Sequence, residues 1–530
     1  MYAQVVVLTY QSPQIDSYTY EIPEGLNIKV GQLVSVPFGT RNPQGIVVGF
    51  QNQIDLQIKT KPIISTILEE PILLPYQIEL LKWMASYYMA PMINCLDAML
   101  PQMPSQSTIV NRLSTQTIVH TRSTIDQTLV LVPNIDRIPE TLASFPQAKN
   151  YAIYHSELAM VPKFEMWQKI MSGNCDFIFG SRLAIFTPLP KLKKIIIYDE
   201  HDGAYKDERS PYFDTLTVAE KIAQLTRAKI EIIDCSPRVT TFANHPDVKI
   251  PKLSVPTKTI DMTIEKAYGN FSPISETLEE ILKRAADKKL RVLLFLNKKS
   301  ESGSVYCKSC KTQSAVPKQV DVCPSCGSAD IYFNSVNVSS LSARIKKILP
   351  DASTDIETAA AFYKLSPQKY DVSVHVKTDS VLAIPDYTST EKLYTQIINL
   401  KKLTKKLVVL QTYNPNHFAV KNAVSSNYQQ FYLEETRQRK IFSYPPYTLL
   451  IKIVVSGTEE NIQEIFESLD SRLSPIGPFK GGGPAKYNII LKIPLPNYSL
   501  QERSKALEKI KSLLPRQKNI RIIVDPDSLI

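Results

Sequence analysis

Residues 193–206 read KKIIIYDEHDGAYK. Three consecutive isoleucines behind two lysines break the in/out alternation of a half-exposed strand, which is the mark of a strand buried on both faces of a parallel sheet. The run ends in Asp199, Glu200 and His201, an acidic box of the kind that holds magnesium beside a nucleotide. Such a box needs a companion, a glycine-rich loop whose N–H groups close around phosphate oxygens and whose lysine reaches the terminal phosphates. Its signature is G-x-x-x-x-G-K-[ST]. None of the 16 glycines is followed by lysine, and none lies between Gly49 and Gly173, the whole stretch upstream of the box where the loop would belong. Other residues rarely adopt the positive φ these loops require, so no intact phosphate loop is expected.

Outward from the box the same rhythm recurs. TLVLVP, YAIYHS, DFIFGS and KIEIIDC are short apolar runs separated by amphipathic stretches, which predicts an α/β lobe over residues 128–255. A second set begins at RVLLFLN and continues through YDVSVHV, DSVLAIPD and KKLVVLQTYNP, giving a second lobe over 256–425. Residues 1–105 open with short β-rich runs punctuated by turns, the pattern of a small antiparallel barrel, and close with the helical segment PYQIELLKWMASYYM between prolines. Polar, proline-bearing sequence over 106–127 reads as a linker, and 426–530 as a separate α+β domain with a Gly481-Gly482-Gly483 turn before the strand YNIILKI.

A chain of 530 residues is long for one core and should divide into several domains. The net charge of +11, from 62 basic and 51 acidic residues, is spread along the sequence; it allows a nucleic-acid partner and equally describes a solvated surface with a basic bias. MYAQVVVLTY has no basic n-region or small-residue cleavage site, and no apolar run approaches the ~18 residues of a membrane span, so a cytoplasmic protein is expected.

Seven cysteines include two C-x-x-C pairs. Cys307 and Cys310, then twelve intervening residues, then Cys323 and Cys326 have the spacing of a four-thiolate zinc ribbon. Four thiolates leave no open position for water or substrate, so one structural zinc is expected. Cys95, Cys175 and Cys235 stand singly in apolar surroundings and read as packed core.

Longer segments carry a family resemblance. FGSRLAIFTPLPKLKKIIIYDEHDGAYKDERSPYF over 179–213, VLVPNI and YHSEL upstream, PEGLNIKVGQLVSVPFG, WMASYYMAP, LLFLNKK, QTYNP, RQRKIFSYPPY and the terminal VDPDSLI occur in the order found in the replication-restart helicase family PriA (primosomal protein N′). The chain resembles that family over most of its length. The resemblance implies a multidomain protein with an N-terminal 3′ DNA-binding domain, two RecA-like superfamily 2 helicase lobes, the zinc ribbon inserted in the second at 305–330, and the C-terminal domain. It implies fork recognition and primosome assembly, normally with an ATP-driven 3′-to-5′ motor. It also implies that the cysteines kept here are the outer four of the family's eight.

Departures from the family pattern concentrate in the motor. D-E-E-H becomes Tyr198-Asp199-Glu200-His201, so tyrosine takes the slot of the first, metal-positioning acid; the box is either a weakened magnesium site or a surviving structural turn. The glycine-containing motif of the second lobe becomes YDVSVHVKTDS. Q-V-A-G-R-A-G-R becomes QIINLKKL, which keeps Gln396 and loses both arginines, and lysine lacks the planar fork of an arginine finger. The family's winged-helix domain has no counterpart beyond the short linker. ATP and magnesium are therefore not expected as cofactors.

The resemblance also implies a pocket for a DNA 3′ end. Tyr18 and Tyr20 fall at its aromatic positions, Gly39 allows close backbone approach, and Lys61 and Arg41 can meet phosphate. Thr19 stands where the family has an aspartate, which puts recognition of the terminal hydroxyl in question. The same tyrosines suit a partly buried hairpin equally well. The leading expectation is a fork-binding restart protein with a lost motor. The alternatives are an active ATP-dependent helicase with an unrecognised loop, and a zinc-bearing replication-assembly protein with little DNA affinity.

Overall fold

A computed structural model describes residues 1–9, 15–53, 60–104, 126–270, 272–297, 303–316, 320–334, 338–348, 354–358, 367–482, 485–514 and 519–529. Most of the expected linker, and Gly483, lie outside the described residues. The chain forms two compact units, Met1–Lys249 with Gln438–Ile530, and Ile250–Arg437.

The first unit opens with β1 (Tyr2–Val7), β2 (Tyr18–Glu21), β3 (Leu33–Ser35), β4 (Gln44–Gln51) and β5 (Ser65–Thr66), an antiparallel sheet of order β2-β1-β4-β3-β5. Alternation along β1 gives the sheet two covered faces. Ala3, Val5 and Val7 enter a small core with Val34 and Val47, whereas Val6 joins Ile46 in the larger core that contains the following helix. That helix runs Pro75–Tyr87; proline suits its first turn, where an N–H would lack a partner, and the Leu74 N–H is met by Gln77 Oε1 at 2.9 Å.

Next come β6 (Gln127–Leu131), β7 (Tyr151–Tyr154), β8 (Phe177–Gly180), β9 (Leu192–Tyr198) and β10 (Lys229–Ile233), all parallel, in the order β10-β9-β6-β8-β7. Ile195, Ile196 and Ile197 are all buried, as the unbroken apolar run requires. Gly180 is fixed by space: a Cβ there would lie 2.2 Å from the Tyr154 carbonyl oxygen and 2.4 Å from Ala184 Cβ.

The second unit contains β11 (Thr257–Asp261), β12 (Val292–Leu296), β13 (Gly303–Cys307), β14 (Gln313–Val316), β15 (Ile331–Asn334), β16 (Thr354–Thr358), β17 (Tyr370–His375) and β18 (Thr404–Thr412). Five of these form a parallel sheet of order β11-β18-β17-β12-β16, and β14-β13-β15 is a separate antiparallel ribbon inserted between β12 and β16 in sequence. DSVLAIPD, expected as part of the strand set, is instead a 3-10 turn over Thr378–Ser380 followed by irregular backbone. Asp379 holds that turn by accepting from Thr412 Oγ1 and the Tyr413 N–H, both at 2.7 Å.

The first unit closes with β19 (Thr448–Ser456), β20 (Ile476–Lys480), β21 (Lys486–Pro494) and β22 (Ile520–Val524), an antiparallel sheet of order β20-β21-β19-β22 with helices Glu459–Ser468 and Leu500–Ile510. Leu449, Ile451, Leu507 and Val524 share one core with Ile78, Leu81 and the β9 isoleucines Ile195 and Ile197. A buried polar knot reinforces it. Arg503 Nη1 donates to Tyr87 Oη at 3.1 Å, Thr217 Oγ1 at 3.2 Å and Asp525 Oδ2 at 3.2 Å, and Nη2 pairs with Glu220 at 2.5 Å.

Among the described residues no helix is long and apolar enough to cross a membrane.

Candidate functional site

In the sheet order β10-β9-β6-β8-β7 the chain leaves β6 toward one side and leaves β9 toward the other. Their carboxyl ends therefore flank the crevice where open parallel sheets bind ligands. The loop after β6 and the acidic box after β9 both sit at that crevice.

The loop, Val132 to Pro139, is poor in usable amides. Pro133 and Pro139 have none. The Val132 N–H donates to the Gly180 carbonyl at 2.9 Å, the Asp136 N–H to Asn134 Oδ1 at 3.1 Å, the Arg137 N–H to the Asn134 carbonyl at 3.1 Å, and the Ile138 N–H to the Ile135 carbonyl. Asp136 adds a negative charge at the opening of a helix only six residues long, Ile138–Ala143. A nucleotide triphosphate needs the reverse arrangement, converging N–H groups with no anion among them.

The acidic box is already engaged. Asp199 leaves β9 with φ +49, a left-handed turn that an aspartate tolerates better than most side chains, and its Oδ2 lies 3.9 Å from Arg137 Nη2. Tyr198, in the slot of the first acid, joins the apolar cluster of Val130 and Ile196. Glu200 is 1% exposed. Arg238 Nε and Nη2 bind its Oε1, and the Arg238 N–H donates to its Oε2 at 3.2 Å. Arg238 Nη1 reaches Asp214 Oδ2 at 2.8 Å, while Asp214 Oδ1 caps the helix Thr215–Thr226 by accepting from the Thr217 N–H at 2.9 Å.

Burial pushes the Glu200 carboxyl upward against the pull of Arg238. At Asp214 burial also works upward, but the charge and hydrogen bond of Arg238 outweigh it and hold the carboxyl below its usual range. His201 Nδ1 lies 2.8 Å from both Asp234 carboxylate oxygens, and its N–H donates to Asp234 Oδ2 at 2.9 Å. Burial opposes a charged imidazole there, yet Asp234 prevails and raises it to about 9. The donors that would serve a nucleotide-bound magnesium ion are thus paired with cations of the chain itself, and these residues do not fit that group.

The sequence pointed to Asp199, Glu200 and His201 but not to Arg238, Asp214 and Asp234. A signal for Asp234 was present. β9 and β10 are parallel with Tyr198 opposite Ile233, so the residue after each strand falls at one edge.

In the second lobe, counting from Gln396 places the family's two arginine positions at Leu400 and Leu403, both buried. Lys401 is also buried, and its Nζ donates to the Ala423 carbonyl at 2.5 Å, the Val424 carbonyl at 2.9 Å and Ser426 Oγ at 2.8 Å, closing the end of the helix Phe418–Ser425. Burial lowers this lysine to about 8. Gln396 Oε1 lies 3.2 Å from Nε2 of the buried His375.

The cysteine ribbon brings its four residues together. All four Sγ atoms lie within 4.8 Å of one another, with Cys307–Cys326 at 3.5 Å and Cys310–Cys323 at 3.7 Å. A tetrahedral zinc with bonds near 2.3 Å has sulfur–sulfur edges of about 3.8 Å, so the donor set fits the ion. The other three cysteines are buried.

In the first sheet, Tyr18 packs edge-on against Phe38 with centroids 5.1 Å apart. Tyr20 is 4% exposed, lies in the small core, and donates to the Pro37 carbonyl at 3.3 Å. Both rings thus back the turn Phe38–Arg41, which carries Gly39 at φ +60 with open space around it and an exposed Arg41. The pleat sends Thr19 to the other face, where Gln4 Nε2 donates to its hydroxyl at 3.0 Å. Lys61 is exposed at the same sheet edge as Tyr20, its carbonyl accepting from the Glu21 N–H at 2.9 Å.

Residues 5–101 match the family model of the 3′ DNA-binding domain (3′BD) of PriA. In this chain that domain precedes two parallel α/β sheets. The replication restart protein PriA of Synechocystis sp. is 26% identical over 499 residues, 76% of this chain and 59% of that protein. Those of Borreliella burgdorferi (25% identical, 73% of this chain, 70% of that protein) and Bacillus subtilis (27%, 63% and 50%) agree. The chain is similar to PriA proteins over most of its length. It spans between half and 70% of the length of these relatives. Among solved structures, RecG bound to a three-way DNA junction is similar at TM-score 0.32 and 11% identity over 70% of this chain and 50% of that one, too weak a likeness to carry an argument.

Proposed function

We propose that this protein is a replication-restart factor that binds branched or single-stranded DNA through its first domain and supports primosome assembly, and that its two RecA-like lobes no longer work as a nucleotide-driven motor. The observation that carries the loss of the motor is the pairing of Glu200 with Arg238 beside a loop in which two residues are prolines and four N–H groups are already bonded. The buried leucines at the arginine positions agree with it. The ribbon is read as holding one structural zinc, and the lobes as a platform on DNA.

On this reading Tyr18, Phe38, Gly39, Arg41 and Lys61 form the DNA face of the first domain, a barrel-like sheet, with Tyr20 as its floor. The half-buried rings of Tyr18 and Phe38 accept any base by stacking, and the two cations neutralise phosphate. The Gln4 bond turns Thr19 from this face, so it contributes to the hairpin rather than to the terminal nucleotide.

Fork binding should weaken steeply between 50 and 200 mM salt, on the order of tenfold or more, because the contacts are to phosphate. Tyr18→Ala with Lys61→Ala should reduce fork affinity by about tenfold, since one base stack is worth ~1–3 kcal/mol. Fluorescence anisotropy on forked and duplex DNA measures both. A folded double variant that binds forks like wild type would remove this face from the account, and salt-independent or absent fork binding would favour the assembly-protein alternative.

A further inference from the structure

The molecule contains an ionic arrangement that neither the fold nor DNA binding accounts for. Glu200 stands at the end of β9, Asp214 at the head of the helix Thr215–Thr226, and Arg238 five residues beyond β10. Three separate segments thus converge on one guanidinium. Both Glu200 oxygens are taken by Arg238, one by the side chain and one by the N–H, and the remaining fork nitrogen holds Asp214 at 2.8 Å.

Hard divalent ions bind through carboxylate oxygens, so an ion and Arg238 would compete for the same atoms. The guanidinium is always charged, is tethered, and meets carboxylates through a rigid fork. Side chains at the site are 1%, 8% and 27% exposed for Glu200, Asp214 and Arg238, so solvent screening does little to loosen the two carboxylates from it.

We propose that Arg238 is a built-in cation: it permanently replaces the divalent ion at this crevice and converts the acidic box into a clamp that ties the ends of β9 and β10 to the helix Thr215–Thr226. The inference deepens the lost-motor reading and rests on it. It concerns metal and stability rather than DNA, so its failure is separable from failure of fork binding.

The probe is manganese chloride alone, titrated into zinc-loaded full-length protein, with thermal melting in parallel. Wild type should show no saturable manganese site that Glu200→Gln removes. Arg238→Ala should melt roughly 5–10 °C lower, because two buried carboxylates lose their cation. Manganese should then restore much of that loss through one new site. Glu200→Gln combined with Arg238→Gln should melt nearer to wild type and bind no manganese there. A wild-type manganese site abolished by Glu200→Gln would overturn the proposal, even if Arg238→Ala failed to fold. So would an Arg238→Ala protein that melts like wild type, or one that loses stability and binds no manganese.

Discussion

Arg503→Met lowers the unfolding free energy of the Met1–Lys249 and Gln438–Ile530 unit by about 3–5 kcal/mol, the usual cost of removing one partner from a buried charge network. Four segments meet at this guanidinium: Tyr87 from the helix Pro75–Tyr87, Thr217 and Glu220 from Thr215–Thr226, the helix Leu500–Ile510 itself, and Asp525 just past β22. Tyr498 completes it, its ring 4.9 Å from the guanidinium carbon and its hydroxyl donating to Asp525 Oδ1. Methionine fills much of the volume but takes the guanidinium from Glu220 and Asp525, leaving Glu220 with His245 and Asp525 with the hydroxyls of Tyr87 and Tyr498. The penalty is therefore electrostatic, and adding Glu220→Gln and Asp525→Asn should recover most of it. Urea titration followed by tryptophan fluorescence reads the change. A loss below about 1 kcal/mol, the scale of an exposed pair, would show that the knot is not what joins these segments.

The second large effect concerns the ribbon. Its strands β13, β14 and β15 are only five, four and four residues long, too short for packing alone to order such a segment. On the proposed reading a metal supplies the difference; structural zinc contributes about 10–16 kcal/mol of apparent binding free energy in small zinc domains. Cys307→Ser should reduce bound zinc from about one per chain to none, and hydrogen exchange over 303–334 should lose its protection while β17 and β18 keep theirs. Retention of full protection without zinc, or of full zinc in the variant, would contradict the ribbon's dependence on metal.

Periodicity makes the parallel strands legible in the order of amino acids alone. A run such as KKIIIY has one stable use, and β6, β7, β8, β9, β10, β12, β17 and β18 all fall on such runs. DSVLAIPD misleads for a local reason, since its apolar residues are matched by an Asp379 turn that satisfies the backbone without a ladder. β11 and β16 escape notice because TKTID and TDIET carry too many polar residues to read as buried strands, and each lies at an edge of its sheet, where one side needs no covering strand.

The cysteine cluster is fully legible, because C-x-x-C spacing fixes which side chains meet. The acidic site is only half legible. A missing glycine loop can be read by inspection, but the arginine that engages Glu200 comes from 38 residues further along, and only the parallel pairing of β9 with β10 brings it there. Tyr18 and Tyr20 show the same limit: alternation places them on one face, and only tertiary packing separates the rim position of Tyr18 from the floor position of Tyr20.

On the proposed reading no nucleotide works at the crevice between β6 and β9. The direct measurement is a calorimetric titration of the full-length protein with ATP and magnesium, with and without forked DNA, alongside phosphate release. The expected result is no saturable binding up to millimolar ATP and no DNA-stimulated turnover. Saturable binding, or turnover that Glu200→Gln abolishes, would contradict the account.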